Sequence, residues 1–435
     1  MPLNVHKDLK KKLIHLLIKA LPNIEVQNGM FISSRSRIAL YEANQALPDH
    51  GPLCDRLIDI VDDFPFMTFC LDSLREEFLL LEYSAETKSQ KLTEVDGYGD
   101  AESTASRLVQ KFDSLPWGYT LILRLPNEVS SLLSKVIERE RILSSTIAII
   151  RATKEFSAEY SLNSDDPKRQ ERIHGSGASI LFAEPKEANW DEEAVYLRIQ
   201  AEGFIGPYGG SGPALKTERL LKAFLGLGIA LRLFRVDHSY YSAPPESAFF
   251  VFKTEGDKRE IAQKLSIGTD LSRALHDIKL HNLVVQAETE SKKQGLAQLM
   301  LDEMAAVFAA GERAQAILLA AEWLIDSHDG RDTRLNYVQA IVVLEVLLGD
   351  KAASDEIGLG QLLRNRCAYL IGANQDERSK LLKDFDDIYR VRSQIVHRGK
   401  FRLTFKESML FDKLQNICNR VIQKEVDLLR ANKSL

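Results

Sequence analysis

The chain has 435 residues, too many for one ordinary hydrophobic core and suited to two or three domains. Hydrophobic residues make up 45% and charged residues 27%, the proportions of a soluble globular protein, and apolar runs such as AILLAAEWLI (316–325) fall far short of a membrane span. The net charge of −5 excludes wholesale coating of nucleic acid, but it averages unlike regions: residues 386–435 hold 11 Lys/Arg against 6 Asp/Glu, a local +5 that leaves −10 for the rest.

In chain order, the basic, apolar N-terminus lacks the small-residue cleavage site of a secretion signal. Its Leu9, Leu13, Leu16, Leu17 and Leu21 fall at helical spacing and predict an amphipathic helix. Up to about residue 290 the texture is mixed α+β. Runs rich in β-branched and aromatic residues predict strands at 118–125, 145–153, 194–203 and 247–254. Helical patterns lie among them, as in ESTASRLVQKFDSL (102–115) and ALKTERLLKAFLGLGIAL (214–231). The polar stretch 161–177 reads as a long exposed loop. Four scattered cysteines (Cys54, Cys70, Cys367, Cys418) form no C-x-x-C pair and have no ligand spacing to histidine. That pattern argues against a structural zinc site and suits a reducing cytoplasm.

From about residue 300 the strand signal disappears and five helical patterns follow, at 302–327, 333–349, 357–371, 375–398 and 404–430. Short connections imply antiparallel neighbours and hence a helical bundle. The expected architecture is an α+β region over 1–290, divisible near residue 100, followed by an all-α bundle over 300–435. In the last helix Leu410, Leu414, Ile417, Val421 and Leu428 make a one-sided stripe.

Three charges break the bundle's apolar pattern. Arg392 falls between Ile388 and Ile395, on the stripe that begins with Leu381 and Phe385. Glu345 is the sole charge in VQAIVVLEVLLG (338–349), and Arg366 continues the stripe of Leu363 and Leu370. A buried charge without a partner costs several kcal/mol, so these three must pair, with Glu345–Arg366 one such pairing, or face a cleft or a second subunit. His397 follows Arg392 five residues on, just before the helix-stopping Gly399. Five residues is about 140° of helix, so the two side chains do not stack as i, i+4 neighbours would, and a groove bordered by both calls for a second copy of the helix to complete it. Arginine and histidine together suffice for one metal-free chemistry. Histidine moves a proton near neutral pH, arginine holds a phosphate, and RNA supplies its own 2′-OH nucleophile.

The helices YVQAIVVLEVLLG (337–349), LGQLLRNRCAYLIG (359–372) and above all IYRVRSQIVHRG (388–399) resemble the HEPN superfamily, in particular its Apea-like members. The likeness covers about 130 residues and rests on the family's Arg-x4-6-His signature in its helix context. It implies a four- or five-helix bundle that forms a homodimer, so that two motifs share a cleft. It further implies a metal-independent endoribonuclease, a bacterial antiviral or toxin effector that needs no cofactor. Residue by residue, Arg392 and His397 match the signature pair. Glu345 matches an acidic supporting position, with Tyr389, Ser393 and Arg366 around it, and Arg398 and Lys400 stand as RNA-binding cations. Ser393 departs from the Asn, Asp or His that often follows the arginine in active members. The alternative within the family is a non-catalytic dimerisation or adaptor bundle. Nothing in residues 1–290 resembles a known family, and by analogy with defence proteins that region would act as a sensor of a protein or phage-derived trigger or as an inhibitor of the nuclease.

Two other stretches carry weaker chemistry. GPYGGSGPALKTERLLKAFLG (206–226) puts glycines before a helix, where phosphate can bind, but lacks the Gly-Lys-Ser/Thr ending of a P-loop, so a strand-to-helix turn is the expectation. VDHSYYSAPP (236–245) reads as a surface loop whose tyrosines could stack on bases. His276 and His281 flank Asp277 without a third ligand and read as surface histidines.

Overall fold

In the computed structural model, residues 2–27, 31–33, 35–78, 89–166, 169–170, 173, 189–207, 209–238, 246–256, 258–329 and 332–431 are described. About half of the 161–177 stretch, and most of the 236–245 stretch, lie outside them. The chain is a sheet-containing N-terminal part followed by a helical C-terminal region.

The first 115 residues form a small unit of their own. Helices α1 (Lys7–Ala20), α2 (Ser36–Asn44), α3 (Pro52–Ile60), α4 (Pro65–Phe78) and α5 (Ala101–Asp113) accompany a three-stranded sheet of β1 (Glu25–Gln27), β2 (Phe31–Ile32) and β3 (Ser89–Lys91). The N-terminal leucine spacing gives the expected helix, and α1 buries Leu13 and Leu17. Asp113, at the end of α5, ties the N-terminus down by accepting the Val5 amide at 2.8 Å. This unit's core runs from Leu3 to Leu115 and takes in Phe204 from beyond it. It docks through aromatics: Phe69 meets Phe204 at 4.9 Å and Trp117 at 6.0 Å between ring centroids. Each such pair adds roughly 0.5–1.5 kcal/mol beyond area burial.

A six-stranded antiparallel sheet follows, built from β4 (Trp117–Arg124), β5 (Glu140–Ile142), β6 (Ile147–Arg151), β7 (Val195–Gly203), β9 (Ala248–Glu255) and β10 (Lys258–Ser266), in the order β10-β9-β4-β7-β6-β5. The strands expected at 118–125, 145–153, 194–203 and 247–254 are its four central members. Period-2 alternation divides their side chains between two cores. Leu121, Ile149 and Leu197 face the helices, whereas Ile122, Ile150 and Tyr196 face an aromatic cluster around Trp190 and Tyr160. Edge strand β10 escapes notice in the sequence because it is mostly polar, as half-solvated edge strands tend to be. Strands β8 (Phe234–Val236) and β11 (Ile278–Leu280) form a separate two-stranded ribbon.

Helices α6 (Asn127–Val136), α7 (Lys154–Glu159), α8 (Gly212–Ala230), α9 (Thr269–Asp277) and α10 (Asn282–Val285) are interspersed. The bundle comprises α11 (Glu290–Phe308), α12 (Gln315–Asp329), α13 (Thr333–Leu348), α14 (Lys351–Ile357), α15 (Leu359–Ile371), α16 (Gln375–Arg398) and α17 (Phe405–Ala431). The expected single helix at 302–327 is in fact α11 and α12, which meet at a 117° bend. Gly311, in the left-handed region at φ 60°, ends the first helix, a conformation most residues resist. One apolar core runs without a break from Tyr119 on the sheet to Leu429 on α17, so packing does not separate bundle from sheet at residue 290. Helix α8 is the link. At Gly226 a side chain would collide with the Ala321 backbone, so α8 and α12 pack with their main chains in near contact. Among the described residues no single helix is long and apolar enough to cross a membrane.

Candidate functional site

The site lies where α13, α15 and α16 meet. Helix α13 is apolar on nearly every side and buries Tyr337, Ile341, Val343 and Leu344. The Tyr337 hydroxyl donates to the Ile388 carbonyl at 3.1 Å, fixing α16 against α13. Helix α16 begins at Asn374, whose side chain accepts the Glu377 amide, and ends at Gly399 in the left-handed region at φ 62°. It buries Leu381, Phe385, Ile388 and Val391.

The stripe therefore continues through Val391, not Arg392 as the spacing suggested. Arg392 sits at the edge of that stripe with 22% of its side chain exposed. Its partner is Glu345 at 3.6 Å, not the Arg366 pairing expected for that carboxylate. Arg366 instead reaches solvent, donating to the Leu348 carbonyl at 2.9 Å with Asp350 at 3.8 Å. The reason is geometric. Arg366 lies on the outer side of α15 and meets the C-terminal end of α13, where carbonyls lack helical partners.

The Arg392–Glu345 contact attracts by charge but is too long for a hydrogen bond. Glu345 Oε1 and Arg392 Nε are both buried and have no hydrogen-bond partner. Burial raises the Glu345 pKa above the ordinary carboxylate value, and Arg392 offsets this only in part. The guanidinium also lies 5.6 Å from the Tyr389 ring centroid. Tyr389 is wedged in turn against α15, since a Cβ at Gly360 would fall 2.7 Å from its ring. Glycine at 360 thus lets the tyrosine seat, and the tyrosine seats the arginine.

His397 and Arg398 are exposed in the last turn of α16, and Ser393 is half-buried one position after Arg392. Lys400 is engaged within the fold, bonded to Glu407 at 2.8 Å and Gln394 at 3.3 Å, so of the two expected RNA-binding cations Arg398 is the freely exposed one. Close to His397 in the chain stand exposed apolar side chains that the sequence reading missed: Val396, Phe401, Phe405 and Met409, with both phenylalanines 82% exposed. The signal was present as FRLTF (401–405), a short stretch between helices that carries two large aromatics. On α17, Leu429 is buried and Leu428 exposed, the reverse of the predicted stripe at that end.

The other candidates resolve into structural roles. At the 206–213 turn the Gly212 amide donates to the Val61 carbonyl at 2.7 Å, and a side chain at Gly206 would collide with the Asp72 carboxylate. A loop whose amide is taken and whose neighbour is an acid does not cradle phosphate, so the turn reading stands; Tyr208 lies outside the described residues. His281 caps α10 by accepting the Leu283 amide at 3.1 Å, and His276 is exposed. All four cysteines are free. Among the described residues no group of three His, Cys, Asp or Glu is arranged to hold a metal ion.

No family model, curated protein or solved structure matches the chain.

Proposed function

We propose that the protein is a metal-independent endoribonuclease of the HEPN type that works as a homodimer in bacterial antiviral defence or as a toxin. The observation that carries the reading is the Arg392 guanidinium, held by Tyr389 and Glu345 at the bundle surface with its Nε unbonded, one and a half turns before the exposed His397. An incoming phosphate would approach the part of the guanidinium that reaches solvent, 22% of the side chain being exposed, while Nε stays buried.

In the reaction the 2′-oxygen attacks the adjacent phosphorus while the bond to the 5′-oxygen breaks. Products are a 2′,3′-cyclic phosphate and a 5′-hydroxyl. One proton leaves the 2′-OH and one reaches the departing 5′-oxygen; His397 carries one of these transfers, and Arg392 stabilises charge developing on the phosphoryl oxygens. Because the two residues lie about 140° apart on one helix, a second α16 completes the groove, and the exposed apolar side chains of Val396, Phe401, Phe405 and Met409 are where the copies meet.

The test is incubation of total RNA in EDTA with wild type, His397→Ala and Arg392→Ala. Wild type is expected to cleave, with each variant slower by about 100-fold or more, the usual weight of a general acid–base or oxyanion group. Equal cleavage by all three, or none by wild type, refutes the assignment. A second reading, a non-catalytic dimerisation bundle, is favoured by one observation: Arg392 already has a carboxylate partner. Under that reading Arg392→Ala abolishes the dimer, whereas under the nuclease reading the variant stays folded and dimeric.

A further inference from the structure

The N-terminal unit carries an open groove of about 740 Å³ between α2 and α3. Along α2, Ile38, Tyr41 and Gln45 repeat at helical spacing and face away from the core; Ile38 is 79% and Tyr41 47% exposed. Across the groove from Tyr41 and Gln45 stand Cys54 and Ile58 on α3, with Phe64 from the α3–α4 turn, its ring 6.4 Å from that of Tyr41. These side chains are not loose. Asn44 accepts the amides of Phe66 and Met67 at 3.1 and 3.2 Å, and Asp62 accepts that of Phe64 at 2.8 Å, so the turn that presents Phe64 is pinned. Large apolar groups held outward by a fixed backbone cost free energy in water unless something covers them.

The rim identifies the cover. Two carboxylates, Asp49 and Asp63, line the groove, and no Lys or Arg is among its described lining residues. Among the described residues neither has an ion-pair partner from another segment; Asp49 meets only its neighbour His50. An acidic rim around an aromatic floor repels nucleic acid and anionic lipid and attracts a cationic, apolar polypeptide. A groove between two helices of this size also suits the apolar face of an amphipathic helix.

We infer that the groove between α2 and α3 is the docking site for a segment of another protein in which bulky apolar anchors alternate with lysine or arginine. The inference stands apart from the nuclease reading, because its test involves no RNA. The full chain is immobilised and used to select from a displayed library of random 16-residue peptides. Enriched peptides are expected to carry two or more large apolar residues at helical spacing with an excess of Lys/Arg. A synthetic peptide of the enriched sequence should bind wild type saturably and lose about tenfold or more in affinity to Phe64→Ser, the typical loss for an aromatic anchor. Ile58→Ser serves as a second variant should Phe64→Ser lower the melting temperature. Asp49→Asn with Asp63→Asn should flatten the salt dependence of binding. No enrichment, enriched peptides without basic excess, or undiminished binding to both serine variants overturns the proposal. So does micromolar self-association of wild type that Phe64→Ser abolishes, since the occupant would then be a second copy.

Discussion

Two half-buried carboxylates, one in each part of the molecule, meet opposite treatment. Glu77 on α4 accepts hydrogen bonds from Arg107, from Lys111 at 2.9 Å and from the Tyr98 hydroxyl at 2.8 Å. Burial alone would raise its pKa, yet these donors outweigh burial and hold it below the ordinary value. Glu345 on α13 has one cation at 3.6 Å, no hydrogen bond to Oε1, and a raised pKa because burial wins. The first acid is finished structure, whereas the second is held in reserve, ionisable and incompletely satisfied. Natural folds leave few buried polar groups in that condition, and a site of chemistry is one of the reasons they do.

Substitution at the two acids breaks or sharpens this contrast. Glu77→Ala strands two cations and a phenol, so the N-terminal unit should lose about 3 kcal/mol, read as an earlier transition in chemical denaturation. Glu345→Gln removes one long ion pair together with a desolvation penalty. Its cost should stay below about 1 kcal/mol in the same measurement. Comparable losses at both positions would erase the distinction drawn here.

Acid sharpens it further. The folded-state pKa of Glu77 is depressed, so its stabilisation is full above the unfolded value and is lost as pH falls through the folded one. Glu345 runs the other way. Its raised pKa makes the ionised form a cost above that pKa, and the cost disappears on acidification. The stability difference between wild type and Glu345→Gln should therefore shift in favour of wild type as pH falls, whereas that between wild type and Glu77→Ala should shrink. Superimposed on both is His328, half-buried on α12 with Nδ1 3.2 Å from the Gln415 amide, its Nε2 enclosed, and its pKa lowered to about 4 by burial. In the unfolded chain it protonates near 6.5, so stability should decline from about pH 6.5 toward 4, and His328→Phe should flatten that slope. The smallest effect belongs to Arg366→Ala. It gives up one hydrogen bond at an exposed helix end, roughly 0.5–1 kcal/mol, and should leave dimer formation and RNA cleavage unaltered.

Much of the fold was legible because its signals are local. Strands with apolar side chains at alternate positions, helices with one-sided stripes, and the Gly399 stop are each written within about ten residues. Reading failed where the decision was not local. Helix 302–327 hid its bend because only Gly311 marks it, and glycine inside an apolar helical pattern is an ambiguous sign. Polar β10 became a strand by pairing with β9, and its own side chains did not announce it.

The candidate site divides along the same line. From the sequence came its composition: three charges in an apolar bundle, with an arginine and a histidine five apart near a helix end. Helical periodicity and residue chemistry suffice for that, since both depend on neighbours along the chain. Only the tertiary structure decided that Glu345 faces Arg392 and not Arg366, that Gly360 admits Tyr389 behind the arginine, and that Lys400 is spent on Glu407. Those choices depend on the rotation of each helix about its axis. That rotation is set by how whole apolar faces interlock across the bundle, and a shift from Arg392 to Val391 in one stripe is a turn of about 100°.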